Sequence, residues 1–520
     1  MTKNDITLEP PANPMTTSKT ERGHGWKQDI LILAVLQVAL GSIYLKTVPR
    51  LYTDEVWDSS LGYSLAYFGE LRHQFIEGFG GMHIHFVQPR VILPFVCAVI
   101  FKIAGYSILA GRVGSLIFSV LAVVNLYALM RRWFGEKQAV CIVIATILHP
   151  WFFTASRTIR PEIYCIALSM ATLWCMVYSF DASSWWAALL AGIFAALASL
   201  AHPLGLMIDA AVIASVVIWM RNRKVWRLAL WGCLGFVAAI LPYIVYVLWS
   251  IQNPEVNFFE QMHSGWGQRS TLIAGEISRW KNFLQWPKGA PLAVIMFASW
   301  LLAWHRSTYA DKILAAIIGL YAIILPLSST NTAGRYLVPV APLFCALMTR
   351  AVWRVMTGQI SLLRNWNKLR FIVGTGVTVI YVSMCITAIS MMIYRLRGAD
   401  FEKVITRVAS TVGRENSVYG EGIFWLGHDR YRYGPYPVDS STVPLKQTVD
   451  MIRKYRFDYA IRAAWSFASS YGAASPPANM PDFRPSLTID QVCERFGTKV
   501  DEFRDPYFGP IEIYKLNWDK

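Results

Sequence analysis

PRVILPFVCAVIFKIAG, residues 89–105, is the stretch on which the fold turns. It is apolar enough to enter lipid, yet it opens on Pro89-Arg90, contains Pro94 and carries Lys102 near its end. Either it crosses a membrane or it lies half-buried at the surface, and every later segment changes sides with the answer. Loop charge decides, because Lys and Arg are retained on the cytoplasmic side. If the stretch does not cross, RRWFGEK (131–137), RNRKVWR (221–227), HRSTYADK (305–312) and RVMTGQISLLRNWNKLR (354–370) all share a side with the basic N-terminus. That side then holds about 18 Lys and Arg in roughly 70 loop residues, against about 11 in about 100 on the other, the direction the rule requires. The expectation is eleven spans, an inside N-terminus and an outside C-terminus.

Other apolar blocks run at 29–48, 108–130, 138–156, 161–179, 184–201, 204–220, 227–250, 289–304, 313–328, 336–353 and 371–393. Each is close to the roughly twenty residues a helix needs to cross a bilayer. With 55% hydrophobic and only 16% charged residues among 520, the chain reads as an α-helical polytopic membrane protein. Residues 1–28 are polar, contain prolines and show no cleavable signal pattern, so they read as a disordered cytoplasmic leader. The eight cysteines lie mostly inside apolar blocks and show neither a disulfide framework nor zinc spacing. A formal charge of +16 is explained by its placement between helices, so no nucleic-acid partner is expected.

The span count places nearly every polar cluster able to do chemistry on the outer face: TDEVWD (53–58), GMHIH (81–85), SRTIRPE (156–162), AHPLG (201–205), HSGWGQRS (263–270) and NTAGRY (331–336). After residue 395 the chain turns to mixed charge and short alternating elements. Helices at 400–412, 446–455 and 489–496, and strands near NSVYGEG, at FDYAIR, at 498–503 and at 510–516, suggest a small α/β domain outside the membrane. The domains expected are thus the leader 1–28, a transmembrane catalytic domain 29–395 and the α/β domain 396–520.

Asp54 and Glu55 come a few residues after the first span. An acid before an amphipathic helix is often a cap, and Val56, Trp57, Leu61, Leu65 and Phe68 do form one apolar face suited to a membrane surface. Arg157, Arg160 and Glu162 sit at the outer end of two apolar blocks, where ionisable groups are costly unless paired or functional. Either the arginines snorkel to headgroups, or they hold an anionic group while Glu162 supports a reacting centre or a helix N-terminus; the planar fork of arginine suits phosphate. His202, at a helix turn, is either a cap or a ligand. Arg335 and Tyr336, which open a late span, meet either substrate phosphate or lipid headgroups.

The order of DE after the first span, a surface helix, RRWFG, R-x-x-R-P-E, HPLG and RYLVP resembles the GT-C membrane glycosyltransferases, most of all the branch of protein O-mannosyltransferases and lipid A aminoarabinose transferases. The resemblance covers nearly all of residues 29–395. It implies a GT-C bundle of about eleven transmembrane helices with a surface helix in the first outer loop. It also implies an enzyme that takes a sugar from a polyprenyl-phosphate donor on the non-cytoplasmic face.

Carried over, Asp54 matches the family's catalytic acid and would act as general base on an acceptor hydroxyl, Glu55 completes the pair, and Glu162 matches the second acidic position. Where many members have a Lys-Pro-Pro turn this chain reads VQPRVILP (87–94), with Gln88 in place of the lysine; Arg90, His83 and His85 are the nearby substitutes for meeting the lipid phosphate. Arg269 and Arg335 are further candidates for stabilising the leaving phosphate. A single base attacking from the opposite face implies inversion. No Asp-x-Asp stands beside Glu162, unlike in oligosaccharyltransferases, so a metal-independent reaction without cofactor is expected. The partners expected are membrane lipids, the polyprenyl-phosphate sugar donor and an acceptor glycan, lipid or protein. The absence of eukaryotic retention or glycosylation logic points to a bacterial inner membrane. Rival readings are a transporter or flippase, which would show inverted repeats and interrupted helices at midplane, a polymerase or ligase of lipid-linked saccharides, and an inactive lipid-binding scaffold.

Overall fold

The computed structural model describes residues 25–51, 53–73, 81–219, 225–263, 277, 279–281, 290–304, 308–328, 334–360, 366–413, 416–420, 433–435, 456–463 and 487–518. Among them six helices are long and apolar enough to cross a membrane, and shorter apolar helices fill in between. The chain opens with α1 (Gly25–Ser42), α2 (Thr53–Phe68), α3 (Ile92–Ala104), α4 (Ile108–Phe134), α5 (Glu136–Leu148) and α6 (Pro150–Ala155). It continues with α7 (Pro161–Ala182), α8 (Trp185–Ala201), α9 (Pro203–Trp219), α10 (Val225–Ser250), α11 (Phe258–His263), α12 (Ala290–Leu302) and α13 (Tyr309–Ser328). A 3₁₀ segment, Gly334–Val340, leads into α14 (Ala341–Met356), followed by α15 (Asn367–Leu396).

Local chemistry sets several of these starts. Ser107 accepts the Ala110 N–H at 3.1 Å to cap α4, and Ser184 accepts from Ala187 to cap α8. Pro161 opens α7 at its first helical position, where a missing N–H is harmless. The decisive stretch becomes α3, whose 13 residues span about 20 Å at 1.5 Å per residue, well short of a ~30 Å hydrocarbon core. It packs on α2, where a Cβ on Gly62 would lie 2.5 Å from Cys97 Cβ.

α7 is the hub of the bundle, its apolar window 78% buried, whereas that of α10 is only 11% buried and leaves its apolar side chains for lipid. α8 and α10 touch backbone to backbone: a Cβ on Gly192 would stand 1.8 Å from Gly232 O, and one on Gly235 2.1 Å from Leu189 O. Small residues permit this approach where lipid gives no hydrophobic drive between helices.

The expected apolar face of α2 is only partly an interfacial one. Val56 and Leu61 are buried, Trp57 and Leu65 half-buried, and Phe68 is exposed, while Asp58, Ser59, Ser60 and Ser64 are buried in the protein. The helix is therefore packed on both its apolar and polar sides, the polar one facing the site described below.

Past α15, the amphipathic α16 (Phe401–Val412) is capped by Asp400, which accepts the Glu402 N–H at 3.2 Å. A five-stranded sheet follows in the order β2-β1-β3-β5-β4. Its strands are β1 (Val418–Gly420), β2 (Tyr433–Pro435), β3 (Tyr459–Ala463), β4 (Gly497–Asp505) and β5 (Gly509–Leu516), with α17 (Leu487–Phe496) before β4. β1 runs parallel to β2 and β3, while β5 is antiparallel to β3 and β4. β2 had no sequence signal, since three residues are too few to show alternation. The helix expected at 446–455 lies outside the described residues. These C-terminal elements grip the segment between α1 and α2: Arg50 donates to Tyr507 O at 2.6 Å, Lys46 pairs with Glu402 at 2.6 Å and Asp400 at 3.3 Å, and Thr47 donates to Arg397 O.

Candidate active site

α2 begins at Thr53, so Asp54 and Glu55 both lie in its first turn, where the helix N-terminus favours negative charge. Neighbours on a helix point about 100° apart, and the two acids part company. Glu55 turns inward. Arg112 of α4 grips it with two bonds of 2.8 and 3.0 Å, and the Ile159 N–H donates to it at 2.9 Å. Arg112 also donates to the carbonyls of Leu45 and Lys46. Both side chains of this pair are fully buried, so Glu55 ties α1, α2, α4 and the entry to α7 together.

Asp54 turns outward, its side chain 38% exposed. Arg160, the residue before α7, donates through one Nη to Asp54 and through Nε and the other Nη to Glu162 at 2.9–3.2 Å. One guanidinium thus joins carboxylates 108 residues apart in the chain, with Arg160 and Glu162 almost fully buried.

Two more groups face this trio. Asp58, one turn beyond Asp54, is 4% exposed and makes no hydrogen bond or ion pair among the described residues. Loss of solvent pushes its carboxyl up to about 7, while Arg90 and Arg160 hold it back from rising further. Arg90 is half-buried, and its guanidinium likewise has no hydrogen bond or ion pair among the described residues. Its loop is fixed by Gln261, which accepts the Val87 N–H and donates to His85 O, both at 2.9 Å. Tyr243 adds a bond to Val87 O, and the Val91 N–H donates to Leu200 O. Gln88 donates to Gln261 O, so it serves the loop. His73 packs against Trp57 with ring centres 4.3 Å apart, and its Nδ1 is 3.0 Å from Ser60 Oγ. Burial, then Arg90, push it down to about 3, so it is neutral at physiological pH.

The remaining expected site residues are dispersed. Arg157 is buried, donates to Ile43 O and stacks 4.3 Å over Phe153. Burial, then Arg112, bring it down to about 9. It faces the α1 end of the fold and shares no bond with Glu162. His85 stacks on Trp249 of α10 at 4.7 Å, and His83 is half-buried in the same turn. His202 accepts the Leu204 N–H at 3.1 Å, closing the turn into α9, with its ring 6.3 Å from that of Tyr336. Tyr336 is buried and its carbonyl accepts the Tyr321 hydroxyl. The backbone of Arg335 lies in the 3₁₀ segment; its side chain, and the whole of Arg269, lie outside the described residues.

Sequence reasoning missed two groups. Asp58 stood within TDEVWD, and its i, i+4 spacing from Asp54 was the available signal. Arg279 is buried within electrostatic reach of Tyr321, which also feels Glu162 and Tyr336; nothing in its local sequence marks it. Among the described residues no three His, Cys, Asp or Glu side chains converge to hold a metal ion.

A helical membrane bundle with two carboxylates paired on one arginine at the starts of α2 and α7 is the arrangement of a class, the GT-C fold of membrane glycosyltransferases, and the comparisons place this chain in that fold. Residues 88–249 match the family model described as dolichyl-phosphate-mannose-protein mannosyltransferase. ArnT from Cupriavidus metallidurans, in a structure bound to undecaprenyl phosphate, superposes with a TM-score of 0.62 at 13% identity, over 94% of this chain and 98% of that one. The oligosaccharyltransferase of Archaeoglobus fulgidus follows at 0.55 and 13%, over 85% and 70%. The arabinofuranosyltransferase AftD from Mycobacteria gives 0.51 and 14%, over 94% and 41%. No curated protein sequence matches the chain.

Proposed function

We propose that this protein transfers a sugar from a polyprenyl-phosphate donor to an acceptor hydroxyl at the non-cytoplasmic face of a bacterial inner membrane, with inversion at the anomeric carbon. The observation that carries the reading is the single guanidinium of Arg160 holding half-exposed Asp54 against Glu162, with Arg90, which has no ion pair among the described residues, in electrostatic reach of the same cluster. Asp54 is the general base: it takes the acceptor proton as the new glycosidic bond forms and the bond from sugar to phosphate breaks. Arg160 and Glu162 orient it. The leaving group departs as a lipid phosphate anion, which needs charge stabilisation more than a proton, and Arg90 supplies it. Undecaprenyl phosphate bound to ArnT supports the donor class. Glu55 serves this site by holding the start of α2. The reaction runs without a metal, because the Asp54 and Glu162 oxygens already face a guanidinium. Eleven spans with the N-terminus inside put this cluster and the C-terminal sheet outside.

Mass spectrometry of cell-envelope lipids and glycans tests the reading, comparing cells lacking the gene with cells carrying the wild type or Asp54→Asn. A glycan present only with the wild type is expected. Restoration by Asp54→Asn would remove Asp54 as base, and an envelope unchanged by loss of the gene would favour another activity.

A further inference from the structure

Asp58 and Arg90 are a carboxyl and a guanidinium within electrostatic reach that do not bond to each other. Neither finds another partner among the described residues, and Asp58 is almost fully buried. Arg160 makes no bond to Asp58 among the described residues; its Nε and both Nη atoms donate to Glu162 and Asp54. The groups that face Asp58 are Asp54 on its own helix, Arg90 before α3, Cys97 on α3, and Arg160, Glu162 and Tyr164 around the start of α7. Buried polar groups in folded proteins are nearly always hydrogen-bonded, and leaving one unmade is costly. A carboxyl that is almost fully buried and a half-buried guanidinium within its electrostatic reach, neither bonded among the described residues, fit a ligand that presents a hydroxyl near an anion. A sugar joined to phosphate has that arrangement, whereas a bare lipid phosphate offers only the anion.

Building on the donor class proposed above, we propose that Asp58 is the sugar-binding residue of this site, its carboxyl accepting a hydroxyl of the donated sugar while Arg90 holds the adjoining phosphate. Asp54, held by Arg160 and part-exposed, meets the acceptor, and one α2 face thereby addresses both substrates, a turn apart.

The test is binding to the full-length protein in detergent, in an Asp54→Asn background so that nothing turns over. The probes are undecaprenyl phosphate and the same lipid phosphate carrying mannose, glucose or arabinose. Asp58→Ala is expected to weaken the best sugar-bearing probe on the order of 10–100-fold, the worth of a hydrogen bond to a charged group, and to leave bare undecaprenyl phosphate within about threefold. Arg90→Ala should weaken both. Retained binding of the bare lipid shows that the variant site is folded, and the isosteric Asp58→Asn should lose less than the alanine variant. If Asp58→Ala changes both probes alike, or neither, the assignment of Asp58 falls while the donor class stands. If the wild type binds none of these lipids, the donor class falls and Asp58 with it.

Discussion

Replacing Glu55 by Gln removes one charge and almost no volume from a pair that is wholly sealed from solvent. Three hydrogen bonds end on the Glu55 carboxylate, two from Arg112 and one from the Ile159 N–H. In the variant the Arg112 guanidinium stays buried and charged, with only the Leu45 and Lys46 carbonyls for company. Removing one partner of such a pair costs about 3–5 kcal/mol, because the other is left uncompensated. At about 2 °C per kcal/mol, the unfolding midpoint of the detergent-solubilised protein should fall by roughly 6–10 °C. Arg112→Met should fall similarly, and the Glu55→Gln/Arg112→Met double variant should recover part of the loss, since an apolar replacement of both partners is often close to neutral. Turnover measured well below the midpoint should stay within about tenfold of wild type, far from the 10²–10⁴ loss that removal of a base produces. The reasoning is refuted if Glu55→Gln melts like wild type yet has lost turnover, which would make Glu55 a reacting group.

Asp54→Asn should show the opposite pattern, with turnover reduced about 10²–10⁴-fold and the melting temperature nearly unchanged, read from product formation and thermal unfolding on the same preparation. Arg160→Lys cannot span two carboxylates with one point charge; kcat should drop at least about tenfold, with little change in donor affinity, and equal effects on both would argue that Arg160 binds donor directly. A chelator such as EDTA should leave turnover of the purified protein unaltered, and a loss restored by added divalent metal would overturn the metal-free scheme.

Asp58 makes stability depend on pH. Its carboxyl holds a proton to about 7 in the folded protein against 3.8 for the free group, so the folded state binds more protons in that interval and stability falls as pH rises through it. Each tenfold in proton affinity is worth about 1.4 kcal/mol, so the full loss approaches about 4 kcal/mol by pH 8. Asp58→Asn should melt like wild type near pH 4 and above it at pH 8, and parallel curves would refute the assignment.

Much of the architecture was legible locally. Hydropathy marked the apolar helices, the blocks at 108–130, 161–179 and 184–201 opening within a residue of α4, α7 and α8, and the helix expected at 400–412 matches α16 within a residue of its start. These features depend on side chains within one or two turns of each other, which is what a linear chain displays. That TDEVWD and SRTIRPE lie on one face was expected from the span count, and the link between Asp54 and Glu162 came from the family resemblance; that Arg160 joins them is seen only in the packed structure.

What the residues would do once gathered was decided by tertiary packing. Asp54 and Glu55 are adjacent and equally acidic, yet one faces the open site and the other is locked on Arg112, 57 residues away in the chain. The same packing turned Arg157 and His202 toward backbone carbonyl and N–H groups, and buried Asp58 within electrostatic reach of Arg90. Where a side chain points from a helix depends on the rotation of that helix against its neighbours, and that rotation is fixed by contacts such as Gly62 on Cys97, made between segments far apart in sequence. The chain alone therefore determined that carboxylates and arginines would collect at one end of a membrane bundle. Only the packed bundle determined which carboxylate is available to a substrate, because that depends on the phase of α2, and no local pattern encodes it.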